Sequence, residues 1–218
     1  MYITEKMMNS ALRPVPKTRE FPATQRKVKK QKMLPLKFLY PEGRKAAVCF
    51  SFDDGPVDDR QMVEILNRYG LKGTFNLNSG CLNSDDRLFI RKEEVAGLYA
   101  GHEVASHSVH HSNLTELFSL DPDRCIREIT DDKKMLEDLC GKTVCGFAYP
   151  FDEVTEDLVN CVADSGFSYA RCGVSHEMCV PENYFRWGAT VHWNEDLALY
   201  KEKLLRSRME LPVLLICG

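Results

Sequence analysis

Three features that would assign the sequence to common classes of protein are missing from it. No stretch approaches the ~20 consecutive apolar residues of a membrane-spanning helix, so we expect no membrane partner. No two of the nine cysteines are spaced as Cys-x-x-Cys, and their odd number argues against a disulfide framework. The short apolar segment 33–40 follows basic residues but lacks the small-residue cleavage site of a signal peptide. We therefore expect a cytoplasmic protein with reduced thiols.

Outside the N-terminal segment, acidic residues outnumber basic ones. Residues 1–34 carry nine Lys and Arg against two acidic residues, whereas residues 35–218 carry 20 against 30. A nucleic-acid-binding core would need a basic face, so nucleic acid is not the expected partner. The composition of residues 1–34 is typical of a disordered, solvated leader. Residues 35–218 are long enough for one domain with a sizeable core.

Short apolar strands alternate with helical segments from residue 46 onward, and glycines separate many of them. The run 46–52 is almost continuously apolar, as in a strand buried on both faces. This alternation predicts parallel strands covered by helices, with a barrel and an open sheet as the two alternatives. Further strands are predicted at 74–77, 103–106, 144–148, 168–170, 185–191 and 213–216, and helices at 58–69, 91–100, 121–140, 155–165 and 195–210.

Two adjacent carboxylates, Asp53 and Asp54, follow the first buried strand in the sequence SFDDGP. Charges at the end of an apolar run are costly unless another group compensates them. Successive strand residues point to opposite faces, but Gly55 and Pro56 end the strand, so both carboxylates can turn toward its carboxyl end. The alternative interpretation is an Asp-Gly turn that caps the strand and has no chemical role.

Two histidines, His107 and His111, follow the third predicted strand and lie four residues apart. If the segment turned helically, both imidazoles would lie on one face, and this spacing suits one metal ion. The carboxyl ends of parallel strands meet at one face of the fold, so the histidines and the Asp53–Asp54 pair are expected to lie together. One carboxylate and two imidazoles form a three-ligand set typical of a catalytic metal site, and the other carboxylate is placed to act as a general base.

The segments SFDDGP and HSVHH resemble the first two motifs of the polysaccharide deacetylase family, which includes chitin and peptidoglycan deacetylases. The similarity covers roughly residues 44–218. It implies a distorted, incomplete (β/α) barrel with parallel strands, and removal of N- or O-linked acetyl groups from a saccharide. It also implies that Asp53 is the catalytic base and that Asp54, His107 and His111 hold one divalent ion. Zinc is the first choice of metal, and cobalt, nickel or manganese also accept one oxygen and two nitrogen ligands.

The third family motif corresponds to residues 147–151, with the sequence FAYPF. By the resemblance, the backbone N–H of Phe151 would donate a hydrogen bond to an oxyanion. Family members often carry an arginine at the position of Ala148, where it orients the catalytic base. Arg171, after the fifth predicted strand, is the substitute that we predict, against the alternative of an ordinary surface arginine.

The last family motif places a histidine, the general acid, after an apolar run that corresponds here to residues 211–216. The sequence ends at Gly218, where that histidine would come next, so we expect a domain that is cut short. General acids and bases contribute about 10²–10⁴-fold, and weak turnover is therefore expected. Three alternatives stay open: hydrolysis of another C–N bond, such as a cyclic amide; a non-catalytic relative that binds a saccharide or a metal; and a protein that associates with nucleic acid through its basic leader. The sequence does not indicate an oligomeric state.

Overall fold

The structure, a computed structural model, describes residues 44, 46–151, 154–192, 194–195, 198, 200–202 and 213–217. Residues Lys37–Gly218 form one compact unit. The predicted leader, residues 1–34, lies outside the described residues, and its boundary stays a prediction. Along the described chain, no helix is long and apolar enough to cross a membrane. The eight cysteines whose side chains are described are all free thiols.

Strands and helices alternate along the described chain. The strands are β1 (Ala46–Asp54), β2 (Gly73–Leu77), β3 (Glu103–Ser106), β4 (Gly146–Ala148), β5 (Tyr169–Val174), β6 (Trp187–Ala189) and β7 (Val213–Cys217). The helices are α1 (Asp59–Arg68), α2 (Val95–Leu98), α3 (Leu114–Leu120), α4 (Pro122–Cys140) and α5 (Glu156–Asp164), with 3-10 turns at Lys92–Glu94 and Tyr184–Arg186. All strand pairs are parallel, and the order in the sheet is β6-β5-β4-β3-β2-β1-β7.

The sheet curls into the distorted, incomplete (β/α) barrel that the family resemblance implied. β6 and β7 form the edges of the sheet, and β1 lies five positions away from β6 in the strand order. Ala189 of β6 nevertheless packs with Ala47 of β1, so the sheet must curl to bring these strands together. Side chains at alternate strand positions point inward and leave a cavity of about 230 Å³. Its walls are formed by Cys49, Ser51, Thr74, Asn76, Glu103, Tyr169, Arg171 and Trp187.

The apolar core lies between the outer face of the sheet and the helices. Phe75 of β2 is fully buried, and its ring centroid lies 5.0 Å from that of Phe52 and 4.6 Å from that of Tyr99. α4 begins and ends where predicted: the Asp121 side chain accepts a hydrogen bond from the Arg124 N–H, and Gly141 ends the helix with a φ of +66°. The two capping residues in the sequence therefore predicted both ends of the longest helix correctly.

Several predicted elements were wrong in type or extent. The predicted helix at 91–100 is a 3-10 turn followed by the four-residue α2, and the Gly97 it contains is a poor helix former. α3 was not predicted, although Asn113 caps it by accepting from the Glu116 N–H. The predicted strand at 185–191 is a 3-10 turn followed by the short β6. The predicted helix at 195–210 lies mostly outside the described residues.

A buried acid opens α1 close to the two aspartates that end β1. Asp59 is 4% exposed, and one of its carboxylate oxygens accepts a hydrogen bond of 2.6 Å from the Tyr99 hydroxyl. Burial raises the pKa of Asp59 to about 7; the Tyr99 hydrogen bond opposes this rise, and the charges of Asp53 and Asp54 add to it. The ordinary pKa of an aspartate, about 3.9, applies to the unfolded chain.

We expect the Asp59→Asn variant to be more stable than the wild type at high pH. Between about pH 4 and pH 7 the folded chain holds a proton on Asp59 that the unfolded chain has lost, so wild-type stability falls as the pH rises. The variant loses this dependence, and its gain in unfolding free energy should be about 3 kcal/mol larger at pH 8 than at pH 4.5. Urea unfolding of the metal-free protein at both pH values measures this. The exposed Asp58→Asn is the control, and a gain that does not change with pH would refute the assignment.

Candidate active site

The predicted site residues come from four strands and meet at the carboxyl end of the barrel. Asp53 and Asp54 end β1, and His107 follows β3 directly. Phe151 lies three residues beyond β4, and Arg171 lies within β5. This is the placement that a parallel barrel gives to its functional residues.

Three of these side chains lie close enough to one another to form a candidate cation site. Asp54, His107 and His111 each bring one ligand atom to within 4.8 Å of the others. Asp54 Oδ1 lies 3.7 Å from His107 Nε2 and 3.6 Å from His111 Nε2. Ligands about 2.0–2.2 Å from one zinc ion have similar mutual distances. Asp54 Oδ1 is itself buried without a hydrogen-bond donor among the described residues, which suits a carboxylate oxygen that coordinates a cation.

The orientation of His107 is set by the backbone of the neighbouring strand. Its Nδ1 donates a hydrogen bond of 2.8 Å to the Ala148 carbonyl, which leaves Nε2 free of its proton and facing Asp54. Burial lowers the pKa of His107, although the charge of Asp53 partly opposes this effect. His107 is therefore a neutral imidazole near pH 7, which is the form that binds a metal.

The histidine loop, residues 107–111, does not form the helical turn that the spacing suggested. Ser108 and His111 have φ angles of +66° and +53°, and Asp54 has a φ of +74°. Such left-handed conformations cost of order 1–3 kcal/mol for non-glycine residues and persist only where surrounding contacts impose them. They turn the His107 and His111 rings to a centroid distance of 4.8 Å, so the pair converges through a strained loop and not through helix geometry.

Asp53 is held by two donors inside the barrel. It accepts a hydrogen bond of 2.7 Å from Asn76, and Nη2 of Arg171 lies 2.5 Å from each of its carboxylate oxygens. Burial raises the pKa of Asp53, but the charge of Arg171 and the hydrogen bonds from Arg171 and Asn76 outweigh burial and hold that pKa below its usual range. Asp53 is therefore ionised at neutral pH and can accept a proton.

Arg171 is not a surface arginine, because its side chain is only 12% exposed. Its Cα pairs with that of Ala148 in the register between β4 and β5. The guanidinium thus reaches Asp53 from the position next to the one where the family resemblance predicted an arginine. Ala148 itself is fully buried and has only a methyl side chain, so it cannot donate a hydrogen bond to Asp53.

Phe151 lies beside the metal-ligand set in another strained conformation. Its φ is +57°, and its ring centroid lies 4.9 Å from that of His111. More than half of the side chain is exposed. Among the described residues its backbone N–H has no acceptor, so it is available to a ligand. Its role as an oxyanion donor stays a prediction.

Sequence reasoning missed three polar residues that support the site. Asn76 binds Asp53 and also donates to the Ser51 hydroxyl, while Glu128 and Asp132 are buried in α4 against the histidine loop. Asn76 interrupts the apolar strand GTFNL, and the two acids lie on the buried stripe of α4. A polar residue at a core position was the available signal in each case.

Comparisons with known proteins agree on one family. The sequence model described as polysaccharide deacetylase matches residues 41–170. YxkH of Bacillus subtilis (strain 168), whose name places it among the polysaccharide deacetylases, is 26% identical over 133 residues, or 60% of this chain and 44% of YxkH. The structure of the Streptococcus pyogenes deacetylase PplD in complex with acetate has a TM-score of 0.57 at 19% identity, over 63% of this chain and 61% of PplD. BC0361, a polysaccharide deacetylase from Bacillus cereus, has a TM-score of 0.53 at 17% identity, over 63% of this chain and 44% of BC0361. The structural likeness shows a shared fold, and the chain spans less than two thirds of each relative.

Proposed function

The chain belongs to the polysaccharide deacetylase family, and on this premise we propose that it is a metal-dependent hydrolase that removes acetyl groups from a saccharide. The observation that carries the proposal is the convergence of Asp54, His107 and His111 beside the ionised Asp53. The Asp54 side chain is 48% exposed, so the site opens to solvent and can admit a bulky saccharide. The acetyl group is N- or O-linked in this proposal.

Asp54, His107 and His111 would hold the divalent ion, with zinc as the first choice and cobalt, nickel or manganese as alternatives. Two observations support the fit of these residues to a metal ion. Asp54 Oδ1 is buried and accepts no hydrogen bond from the described residues, and the unprotonated Nε2 of the neutral His107 faces that oxygen. When bound, such an ion polarises an acyl carbonyl and lowers the pKa of a water molecule to about 7.

The protein side chains supply the proton transfer and part of the charge stabilisation. Asp53 takes the proton from the water that attacks the acetyl carbonyl, and Arg171 and Asn76 hold its carboxylate in place. The Phe151 N–H donates a hydrogen bond to the oxyanion that develops on the acyl oxygen. The leaving amine or alcohol also needs a proton, and we assign that role to none of the described residues. The expectation of weak turnover therefore stays a prediction.

Acetate release from oligomers of N-acetylglucosamine tests the proposal. We expect the zinc-loaded protein to release acetate, and the Asp53→Asn variant to do so about 10²–10⁴-fold more slowly with unchanged zinc content, because the amide cannot act as a base. Coupled acetate detection and mass spectrometry of bound zinc measure the two quantities. The exposed Asp86→Asn serves as the control.

Three outcomes of this assay decide against parts of the proposal. Wild-type turnover by Asp53→Asn would remove Asp53 from the role of base. Opening of a cyclic amide without any acetate release would favour a hydrolase of another C–N bond. Zinc binding with no turnover of either substrate would favour a non-catalytic relative.

A further inference from the structure

Two buried carboxylates on α4 have no part in the proposed reaction. Asp132 is fully buried and Glu128 is 6% exposed, one helical turn away on the same face. Both side chains contact the histidine loop or the residue that precedes it. Burying an acid is costly unless hydrogen bonds compensate its charge, so the donors that surround these two acids indicate what they hold in place.

Asp132 joins the end of β3 to the loop that follows β2. Its Oδ2 accepts hydrogen bonds from the Ser106 hydroxyl at 2.6 Å and from the His107 N–H at 3.2 Å. Its Oδ1 accepts one of 2.8 Å from the Ser79 N–H. The carboxylate thus shares the N–H of the metal-ligand candidate His107 with the Leu77 carbonyl, which accepts it at 3.0 Å, and it ties the end of β3 to the loop that follows β2.

Glu128 holds the other half of the histidine loop. Its Oε2 accepts a hydrogen bond of 3.0 Å from the His110 N–H, and its Oε1 lies 2.7 Å from His110 Nδ1. The backbone carbonyl of Glu128 also accepts from the Val109 N–H at 3.0 Å. The residue directly before His111 is therefore bound to α4 through both its backbone and its side chain.

We propose that Asp132 is a positioning residue for the metal ligand His107, and that Glu128 positions His111 through His110. This inference rests on the proposed metal site. The histidine loop contains two residues in left-handed conformations, Ser108 and His111, and these persist only under external constraint. The two acids of α4 supply that constraint from one side, while Asn78 donates to the His107 and Ser108 carbonyls from the other.

A positioning role and a merely structural role have different consequences. If Asp132 only compensates buried donors, its loss lowers the stability of the fold and leaves the zinc affinity of the folded molecules unchanged. If Asp132 positions His107, its loss lets Nε2 move relative to Asp54, and zinc affinity falls even in fully folded protein. Groups that orient metal ligands typically change affinity by about 10–100-fold when mutated.

Zinc affinity of the full chain, measured by competition with a chromophoric chelator, separates the two roles. Asp132→Asn should weaken zinc binding about 10–100-fold, because the amide retains one acceptor oxygen and has no charge. The exposed neighbour Asp131→Asn is the matched control and should leave affinity unchanged. Circular dichroism establishes that each variant is folded. Activity of Asp132→Asn at limiting zinc should be restored by added zinc in protein that is already folded before the zinc is added, because zinc could also rescue a folding defect by stabilising the folded chain.

Ser106→Ala provides a second, milder test. It keeps the Asp132 carboxylate and removes one of its donors, so zinc affinity should fall about threefold to tenfold. If Asp132→Asn does not fold, this variant decides. If Asp132→Asn folds and its zinc affinity is unchanged, the positioning role is overturned and the proposed metal site is not. If Asp132→Asn does not fold, unchanged zinc affinity in Ser106→Ala has the same meaning. A wild-type chain that binds no zinc overturns the proposed metal site and, with it, this inference.

Discussion

Replacing Arg171 with Met is expected to lower turnover about 10²–10⁴-fold, the range of a general base, while zinc content stays at the wild-type level. Arg171 bonds both carboxylate oxygens of Asp53, so it fixes the direction in which the base accepts its proton. Methionine has a similar length but cannot donate a hydrogen bond. The metal-ligand set does not include Arg171, so metal binding is not expected to change.

The pH dependence of the Arg171→Met variant identifies the cause of its loss. The Arg171 charge is the largest influence that lowers the pKa of Asp53, and burial raises that pKa. Without Arg171 the pKa of Asp53 rises, so the acidic limb of the rate profile should move to higher pH. Removing one partner of a buried ion pair is strongly destabilising, because the remaining charge stays buried without compensation.

Arg186→Met is the matched control for this substitution. Arg186 forms an exposed ion pair with Glu156, in which the arginine side chain is 38% exposed and the glutamate side chain 70%. Pairs of this kind contribute little, so turnover and pH profile should stay close to wild type. Near-normal turnover in Arg171→Met would show that the arginine does not orient the base.

The His107→Ala, His111→Ala double variant is expected to retain no zinc, whereas the wild type should hold about one ion per chain. Two of the three predicted ligands are removed, and Asp54 alone offers a single oxygen. Turnover should fall by about 10³-fold or more, since the ion contributes several kcal/mol to charge stabilisation. Mass spectrometry of the purified proteins measures the bound metal.

Thermal unfolding adds a measurement that does not depend on activity. A metal that binds only the folded chain stabilises it by about 2.7 kcal/mol at a concentration 100 times its Kd, so zinc should raise the wild-type Tm. The double variant should show no such rise. His176→Ala, which changes a histidine outside the site, should behave as wild type. Equal zinc content in the wild type and the double variant would contradict the assigned ligands.

Much of the site could be predicted because its signals are local in sequence. Asp53 and Asp54 end a largely apolar strand, and the two histidines predicted as metal ligands follow the next-but-one strand. Parallel strands place their carboxyl ends at one edge, so a correct reading of strand ends was enough to bring the ligands together. α4 was readable for the same reason, since its Asp121 cap and terminal Gly141 are short-range signals.

The sequence by itself determined the parallel α/β class and brought two carboxylates and two histidines together, because these depend on periodicity and on spacings of a few residues. The family resemblance implied which carboxylate is the base and which is a ligand. The tertiary structure decided between the barrel and the open sheet that periodicity had left as alternatives, and it showed that Arg171 meets Asp53 across 118 positions and is not a surface residue. Only the structure showed that left-handed residues bring the histidines together. It also decided that Glu128 and Asp132 of α4 hold the histidine loop. These features follow from strand register and long-range packing, which the order of apolar and polar residues in a single chain does not specify.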